Sequence, residues 1–431
     1  MAARPAVERP NIATIVADDL GHGELACEGA GDLRTPHIDA LAHEGVRLTH
    51  YYTASPVCTP ARAALLTGQH PLRLGVNRVL RKEDDDTGLP RDVKTIAELL
   101  KARDYATGLC GKWHLGMAPH CHPMARGFDR FYGVLNGMID YHTHISLGGG
   151  GDGGHHFYDN QTRITADGYF TELVTQQACD FVDAHHDQPF YLAVTYTAPH
   201  TPLQATEHWL KRMSHLPEGD RRTYAAMVAC MDDGIGRICA RLAAHDIARD
   251  TIVIFTSDHG WADRDATRSA SANGGLRRGK YTLYEGGLRV PCIVRWPAML
   301  PAGATCDQAI VGMDLPRTLS RWAGTNDEAS DACVDGIDVT DALRNGTALP
   351  PRDLHWQYGP DDRAKAPAQL AIQRDRWKLV ITGQHCELFD IISDPREANC
   401  IAAQQPALVC DMREAAREWE TQMRDAATEL K

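Results

Sequence analysis

The chain has 431 residues, 43% of them hydrophobic, and a formal net charge of −12 at pH 7. This length and hydrophobic content predict a globular protein with one large domain and one smaller domain. The acidic balance, with no stripe of lysine and arginine, excludes nucleic acid as the main partner, and no apolar run reaches the ~20 residues needed to cross a membrane.

The N-terminal residues and the cysteines favour a cytoplasmic location. The first residues lack the apolar segment of about 7 to 15 residues that a signal peptide contains. The 13 cysteines are an odd number without a regular framework, which is more typical of reduced thiols than of a disulfide scaffold. We therefore expect a cytoplasmic protein.

Short apolar runs alternate with amphipathic segments along the first three quarters of the chain. Five runs are predicted as buried strands: residues 11–17, 105–110, 190–196, 251–257 and 291–296. Four segments with helical spacing of apolar residues are predicted as helices: 36–45, 95–103, 171–186 and 223–244. This alternation predicts an α/β fold with a large, mostly parallel central sheet flanked by helices.

The pattern changes after about residue 340. Two or three antiparallel strands are predicted before residue 400, and residues 406–428 are predicted as a closing helix. We therefore expect a first domain over residues 1–340 and a smaller C-terminal α+β domain, an antiparallel sheet plus a helix, over residues 341–431.

Acidic side chains follow two of the predicted strands. Asp18 and Asp19 come directly after the first strand, and Asp258 and His259 follow the fourth. Carboxylates that meet at one edge of a sheet repel one another unless a cation lies between them, and oxygen ligands favour Ca²⁺ or Mg²⁺. Each motif alone is more often a turn or a helix cap, but the combination favours a metal site.

Cys58 precedes a helix-like run in the segment SPVCTPARAALLTG. Pro60 suits the first turn of a helix, so Cys58 is expected near the helix N-terminus, where Arg62 could reach back to it. A tyrosine-phosphatase loop would need arginine at position 64, which is Ala64. A cysteine protease is only weakly supported, and a lone cysteine is ordinarily a small buried hydrophobe.

Four further groups could bind an anion or transfer protons. Lys112 and His114 share one face of an extended segment, His200 lies between prolines, and Lys280 lies beside glycines. Taken singly, each is more often a solvated lysine or a packed histidine. Because all four fall at predicted loops on the acidic edge of the sheet, an anion site at a metal is favoured.

Other histidine clusters and a glycine run are less informative. The clusters at 120–122, 142–144 and 155–156 could bind zinc, but such short spans rarely close a tetrahedral site, and rim histidines are the favoured interpretation. The glycine run at 147–156 lacks a following Lys-Ser/Thr and is predicted as a mobile rim loop rather than a phosphate cradle.

Several motifs occur together in one order along the chain. The motif Cys58-x-Pro60-x-Arg62 stands among ADDLGHG (17–23), GKWHLG (111–116), PHTPL (199–203), SDHG (257–260) and GKYTLYEGG (279–287). Together they resemble the type I sulfatases of the alkaline phosphatase superfamily, over residues 10–300 and more weakly through ELFDIISDPRE (387–397). Residues 34–68 and 126–144 particularly resemble the arylsulfatase B-like, N-acetylgalactosamine sulfatase-like branch, whose members act on sulfated amino sugars.

The resemblance implies an alkaline phosphatase-like fold, with residues 1–340 as the catalytic domain, and a nucleophile that is not a thiol. In this family the motif cysteine, here Cys58, is oxidised to formylglycine by a formylglycine-generating enzyme that reads Cys-x-Pro-x-Arg. One hydroxyl of the aldehyde hydrate attacks sulfur and the other later expels sulfate. The implied ligands of one divalent cation, Ca²⁺ with Mg²⁺ or Mn²⁺ as alternatives, are Asp18, Asp19, residue 58, Asp258 and His259.

The resemblance also implies roles for the remaining site residues. Arg62, Lys112 and Lys280 would complement the charge of the sulfuryl group. His200, with Lys280, would protonate the departing alcohol, and His114 would take the proton of the second hydroxyl. The expected substrate is a small-molecule or oligosaccharide sulfate ester.

The predicted function is hydrolysis of carbohydrate or aryl sulfate monoesters. His259 stands where many family members have asparagine, and the Asp-His pair also resembles that of phosphonate monoester and phosphodiester hydrolases on the same scaffold. Such a hydrolase is therefore the alternative. A non-enzymatic binding protein with an unmodified Cys58 is the second alternative.

Overall fold

The computed structural model of this protein describes residues 8–81, 84, 87–147, 154, 156–262, 270–325, 334–360 and 367–429. Most of the glycine run at 147–156, including His155, therefore lies outside the described residues. Within the described ranges, no helix is both long and apolar enough to span a bilayer. The cytoplasmic location and the domain boundary at residues 340 and 341 stay predictions.

The strands are β1 (Asn11–Asp18), β2 (Val46–Leu48), β3 (Tyr51–Tyr52), β4 (Ala106–Lys112), β5 (Arg130–Val134), β6 (Phe157–Asp159), β7 (Thr162–Arg163), β8 (Phe190–Pro199), β9 (Thr251–Ser257), β10 (Cys292–Arg295), β11 (Ala304–Cys306), β12 (Ile310–Val311), β13 (Asp353–Tyr358), β14 (Gln369–Arg374), β15 (Trp377–Thr382) and β16 (His385–Asp390). The helices are α1 (Pro36–Glu44), α2 (Cys58–Thr67), α3 (Ile96–Lys101), α4 (Phe170–His185), α5 (Glu207–Arg212), α6 (Asp220–Ala244), α7 (Glu285–Leu288), α8 (Asp314–Trp322), α9 (Thr340–Asn345) and α10 (Pro406–Glu429). Each strand and helix predicted from the sequence is present, with ends that differ by a few residues.

The main sheet has ten strands in the order β11-β2-β10-β9-β1-β8-β4-β5-β6-β7. The five central strands, from β9 to β5, are all parallel, whereas β10 and β6 pair antiparallel with the strands next to them. The predicted α/β fold with a mostly parallel centre is therefore confirmed, and its edges are mixed. Because parallel strands end at the same edge, the carboxyl ends of β1, β4, β8 and β9 meet there.

The central strands are buried on both faces because a helical layer covers each face. Along β1, Ala13 and Ile15 pack into the cluster that includes α4 and α6, whereas Ile12 points into the cluster that includes α3 and α8. This alternation follows from the two-residue period of a strand. The continuous apolar sequence of β1 is thus explained by its central place in the sheet.

The C-terminal residues form a separate antiparallel sheet in the order β13-β14-β15-β16. One face packs under α10, through Leu370 and Ile372 among others. The other face packs against the first part of the chain, and Ala371 and Trp356 lie in one apolar cluster with Leu283. The predicted antiparallel sheet plus helix is present, and its inner face lies against the segment that follows Lys280.

Candidate active site

Two adjacent aspartates stand at the carboxyl end of β1. Asp18 ends the strand, and Asp19 turns the chain with a φ of 62°, in the left-handed region. Asp18 Oδ2 accepts a 2.6 Å hydrogen bond from Lys112 Nζ, whereas the buried Asp18 Oδ1 has no hydrogen-bond donor among the described residues. Burial raises the pKa of Asp18 well above its ordinary value, and the charge of Lys112 opposes this effect.

Asp258 and His259 follow β9, the neighbour of β1. Asp258 is held on both sides, because its Oδ1 accepts from the Asp19 N–H at 3.1 Å and its Oδ2 accepts from Arg62 Nε at 3.0 Å. Burial acts to raise the pKa of Asp258, but His259 and Arg62 hold that pKa well below its usual range. Asp258 is therefore an ionised carboxylate in the buried site.

The imidazole of His259 faces the acidic group with its Nε2 atom. Its Nδ1 donates to the Gly260 carbonyl at 3.0 Å, while Nε2 lies 3.2 Å from Asp19 Oδ1 and 3.2 Å from Cys58 Sγ. Burial acts to lower the pKa of His259, but Asp258 and Asp19 raise it to about 9. The carboxylates thus hold a proton on Nε2, and this proton must leave before Nε2 can ligate a cation.

Cys58 is the first residue of α2, as the sequence predicts, and is only 3% exposed. Burial acts against ionisation of its thiol, but the charges of Lys112, Lys280 and His259 bring the pKa of Cys58 well below its ordinary value. Position 58 therefore lies where developing negative charge is strongly stabilised.

Arg62 lies one turn after Cys58 and is 4% exposed. Besides its bond to Asp258, its Nη1 donates to the Lys112 carbonyl at 3.2 Å, and its Nη2 lies 3.5 Å from Asp18 Oδ1. Arg62 thus fixes the carboxylates and the end of β4 relative to α2. The guanidinium group of Arg62 is therefore surrounded by the carboxylates of Asp18 and Asp258 and by the end of β4.

Lys280 and His200 lie on the other side of Asp19. Lys280 Nζ donates to both Asp19 oxygens, at 2.8 and 2.9 Å, and His200 Nε2 lies 3.6 Å from Asp19 Oδ2. His200 Nδ1 donates to the Thr201 carbonyl at 2.5 Å. Burial lowers the pKa of His200 to about 4 against the opposing charge of Asp19, so without a ligand this imidazole is neutral at neutral pH.

His114 is held by a backbone carbonyl, a kind of partner that sequence motifs do not predict. Its Nε2 lies 3.1 Å from the Leu80 carbonyl, which can only accept, so Nε2 carries the proton and Nδ1 keeps its lone pair. Burial lowers the pKa of His114, and the adjacent Cys58 opposes this effect. The Leu80 N–H in turn donates to Thr59 Oγ1 at 3.1 Å, so α2 and the Leu80 segment orient His114 together.

The structure therefore brings every predicted site residue to one buried place. Asp18, Asp19, Cys58 and His259 each offer a ligand atom within 4.8 Å of the others, and this is the only such group of three or more in the described ranges. Oxygen donors, an imidazole nitrogen and a free Asp18 oxygen fit a divalent cation. Asp258 is not a member of this group, and its predicted role as a ligand stays a prediction.

The remaining histidine clusters have structural partners. His122 Nδ1 accepts from the Met124 N–H, and His144 Nε2 bonds to the Gly168 carbonyl. His142 is exposed beside Tyr169, with ring centroids 5.4 Å apart. Among the residues that the structure describes, none of these histidines belongs to a metal-ligating group.

Comparison with known proteins places this site in a family. The Sulfatase family model matches residues 10–325, and the model of the N-sulphoglucosamine sulphohydrolase C-terminal region matches residues 278–423. The chain belongs to the sulfatase family. It is a type I sulfatase of the alkaline phosphatase superfamily, as its motifs predict, and it hydrolyses sulfate esters.

Curated relatives match this sulfatase over most of its length. Arylsulfatase J of Mus musculus is 30% identical over 457 residues, which cover 95% of this chain and 75% of the relative. N-acetylgalactosamine-6-sulfatase of Mus musculus is 34% identical over 372 residues, with 81% and 69% covered. The enzyme class predicted from the sequence, a sulfuric ester hydrolase, is thereby confirmed.

Solved structures agree with this assignment. The crystal structure of Ps i-CgsB has a TM-score of 0.88 and 31% identity, and covers 96% of this sulfatase and 93% of that chain. The same protein is known in complex with k-i-k-neocarrahexaose. The phosphonate monoester hydrolase of Agrobacterium radiobacter has a TM-score of 0.69 and 20% identity, with 96% of each chain covered, which shows a shared fold alone.

Proposed function

We propose that this sulfatase hydrolyses carbohydrate sulfate monoesters, with residue 58 as formylglycine and one divalent cation, Ca²⁺, bound by Asp18, Asp19, residue 58, Asp258 and His259. Mg²⁺ and Mn²⁺ are the alternative ions, because carboxylate oxygens suit all three, whereas the imidazole of His259 is a poor ligand for hard cations such as Ca²⁺ and Mg²⁺. A saccharide substrate is supported by the N-acetylgalactosamine-6-sulfatase relative and by the neocarrahexaose complex of a similar protein.

One observation carries this proposal. Cys58 Sγ lies 3.2 Å from His259 Nε2 in a buried group with two aspartates, and Lys112 and Lys280 flank the same position. A nucleophile placed beside a metal-ligating group and two cations suits attack on an anionic ester. When bound, the cation would lower the pKa of the attacking hydroxyl and draw charge from a sulfate oxygen.

Maturation of residue 58 is the first chemical requirement. The maturation partner, a formylglycine-generating enzyme, would use dioxygen and a thiol reductant to convert the CH₂–SH group to CH=O, and the sulfur would leave as hydrogen sulfide. Cys58, Pro60 and Arg62 are all buried in α2. The modifying enzyme must therefore reach them before α2 packs into the fold.

Hydrolysis would then begin at the aldehyde hydrate. One hydroxyl of residue 58 loses its proton to solvent and attacks the sulfur, an oxygen–sulfur bond forms, and the bond from sulfur to the sugar oxygen breaks. The departing oxygen takes a proton from His200, which must first be protonated at Nε2 when the anionic ester binds, and Lys280 assists, since both side chains lie at Asp19. Lys112 and Lys280 balance the charge of the transferring group, at about 3 kcal/mol for a well-placed donor.

The second half of the reaction would release sulfate from residue 58. The remaining hydroxyl gives its proton to His114 Nδ1, which keeps a lone pair because Nε2 donates to Leu80. The carbon–oxygen bond to sulfate then breaks, the aldehyde returns, and water rehydrates it. Position and protonation of His114 therefore set the rate of this half-reaction.

Sulfate release from defined substrates tests the proposal. Enzyme with formylglycine at position 58 is incubated with sulfated mono- and disaccharides, 4-nitrophenyl sulfate and a phosphonate monoester, before and after chelation. We expect sulfate from a saccharide ester, loss of activity on chelation and recovery with Ca²⁺. Hydrolysis of the phosphonate ester alone, or full activity after complete metal removal, would contradict the proposal.

A further inference from the structure

A pocket of about 400 Å³ lies beside the catalytic lysine and takes no part in the chemistry described above. Residues 271–273 and 275–278 line it, including Asn273, Gly275 and Arg278. Asn273 Nδ2 and the Lys280 N–H both donate to the Trp261 carbonyl, at 3.1 Å each. Since Arg278 is two residues from Lys280, their Cα atoms lie within about 7 Å of each other.

The wall of this pocket also touches the loop that follows the metal-ligating aspartates. A Cβ on Gly23 would lie 2.6 Å from the Cα of Gly274, and a Cβ on Gly21 would lie 2.2 Å from Asn273 Oδ1. These approaches are possible only because the positions are glycine. The pocket wall is therefore packed directly on the loop that follows Asp18 and Asp19.

Two exposed arginines meet at the pocket. Arg278 lines it, and the guanidinium carbon of Arg396 lies 3.5 Å from the position of a Cβ on Gly275. Neither side chain forms an ion pair or a side-chain hydrogen bond with any residue that the structure describes. An unpaired surface arginine is ordinary by itself, but two that converge on one concave surface next to Lys280 form a local cationic site.

Arg277, between the pocket and the C-terminal sheet, behaves differently. Its Nη2 donates to Glu387 Oε1 at 2.9 Å, its Nη1 donates to the Glu397 carbonyl at 3.0 Å, and it lies over the Tyr284 ring at 4.2 Å. Arg277 is thus fully engaged in holding the 275–278 segment against the 396–397 segment. Arg277 also lines the pocket, but its Nη1 and Nη2 atoms are occupied by these contacts.

The backbone of Arg278 is fixed, while its side chain has no ion-pair partner among the residues that the structure describes. Its φ of 59° is in the left-handed region, and its carbonyl accepts from Asn273 Nδ2 at 2.9 Å. Gly286 packs on the same carbonyl, where a Cβ would come within 2.2 Å. A strained backbone conformation that neighbouring residues hold in place is typical of functional sites.

We propose that the Arg278–Arg396 pocket binds a second anionic group, a sulfate or a carboxylate, of the saccharide substrate. The inference rests on the proposed function, since it assumes that a sulfate ester lies at residue 58. The forked guanidinium group matches both anions in geometry and charge. In a chain of net charge −12, this local positive site selects multiply charged oligosaccharides over neutral sugars that carry a single sulfate.

Competing substrates test this selection. Steady-state rates are measured for a neutral disaccharide with one sulfate, the same disaccharide with a second sulfate, and a monosulfated disaccharide that contains a uronate. We expect the wild type to favour the two doubly charged substrates. In Arg278→Ala and Arg396→Ala, we expect KM for these substrates to rise about tenfold each, with kcat and the singly charged substrate little changed.

Matched variants separate this role from general electrostatics. Arg278→Lys should recover part of the affinity, and Arg344→Ala, which removes an exposed arginine far from the pocket lining in sequence, should change nothing. A larger loss for the second sulfate than for the uronate would identify a sulfate-binding pocket, and the reverse would identify a carboxylate-binding one. Equal KM ratios in the wild type and the double variant would overturn the proposal.

Binding to inactive enzyme keeps the pocket testable apart from turnover. The affinity of Cys58→Ala protein for the singly and doubly charged disaccharides is measured by calorimetry, with and without the two arginine substitutions. A preference for the doubly charged sugar that disappears with the arginines would support the pocket even if no ester were hydrolysed. Absence of sulfate release from all three substrates would instead contradict the proposed function.

Discussion

The molecule contains two buried clusters of opposite charges, and only one of them is a reaction site. At the interface with the C-terminal sheet, Lys378 Nζ lies 2.8 Å from Glu285 Oε1 and 3.1 Å from Glu397 Oε1, with all three side chains fully buried. In the active site, lysines contact Asp18 and Asp19 at similar distances. Burial and ion pairing alone therefore do not distinguish a reaction site from a charge cluster that stabilises the fold.

The difference lies in what each cluster surrounds. The carboxylates of the Lys378 cluster also accept from the Tyr52 hydroxyl and from the Glu285 N–H, at 3.2 and 2.8 Å. Each cluster keeps one carboxylate oxygen that faces a cation without a hydrogen bond from any described residue, Glu397 Oε1 in the first and Asp18 Oδ1 in the active site. Of the two, only the active site adds a bare His114 nitrogen and a converging group of ligand atoms around position 58, so convergence on a reactive position identifies the functional cluster.

The largest effect should come from removing a proton donor of the reaction. His200→Ala should slow hydrolysis of alkyl and sugar sulfates by about 10²- to 10⁴-fold, because their alkoxide leaving groups need a proton. Hydrolysis of 4-nitrophenyl sulfate should fall much less. Steady-state kinetics on both substrates measure the contrast, and equal losses would remove His200 from the leaving-group role.

A change in the Lys378 cluster should affect stability rather than chemistry. Lys378→Met leaves two buried carboxylates without their cation, which should lower the free energy of unfolding by about 3 to 5 kcal/mol. Urea denaturation measures this loss. The control is Lys211→Met at an exposed site. A Lys378→Met protein that kept its stability but lost kcat would place this cluster in the reaction.

The same cluster should respond to pH in a defined direction. Burial raises the pKa of Glu397 to about 7 from its ordinary 4.5, against the opposing charge of Lys378. The folded state then binds this proton more tightly than the unfolded state, so the stability contributed by Glu397 falls as pH rises from about 4.5 to 7. Glu397→Gln should flatten this fall in urea denaturation curves, and an unchanged pH profile would contradict the assignment.

The smallest effect should come from removing a hydrogen bond that indirectly holds His114 in place. Thr59→Ala removes the hydroxyl that accepts from the Leu80 N–H while keeping Cys58, Pro60 and Arg62. Loss of this hydrogen bond, worth about 1 kcal/mol, should slow sulfate release from residue 58 by about fivefold. Single-turnover kinetics would show the delay in the second half-reaction. If only departure of the leaving group were delayed, Thr59 would not orient His114 for sulfate release.

Much of the fold could be predicted because its local pattern is strong. The run at 251–257 matches β9 residue for residue, since a central parallel strand is apolar on both faces. The candidate site residues could be predicted because several motifs fall at strand ends. The carbonyl of Leu80 could not be predicted, because a backbone acceptor leaves no side-chain signal. The partners of Lys378 could not be predicted either. Glu285 lies 93 residues earlier in the chain, and Glu397 lies in a later loop.

The central claim is that residue 58 works as an aldehyde hydrate within the acidic cluster. Mass spectrometry of the peptide that contains residue 58, from protein purified with full sulfatase activity, tests it directly. The account predicts a mass lower than that of the cysteine peptide by roughly 18 Da, the difference between CH₂–SH and CH=O at an activated nucleophile. An unshifted cysteine peptide in fully active protein would contradict it.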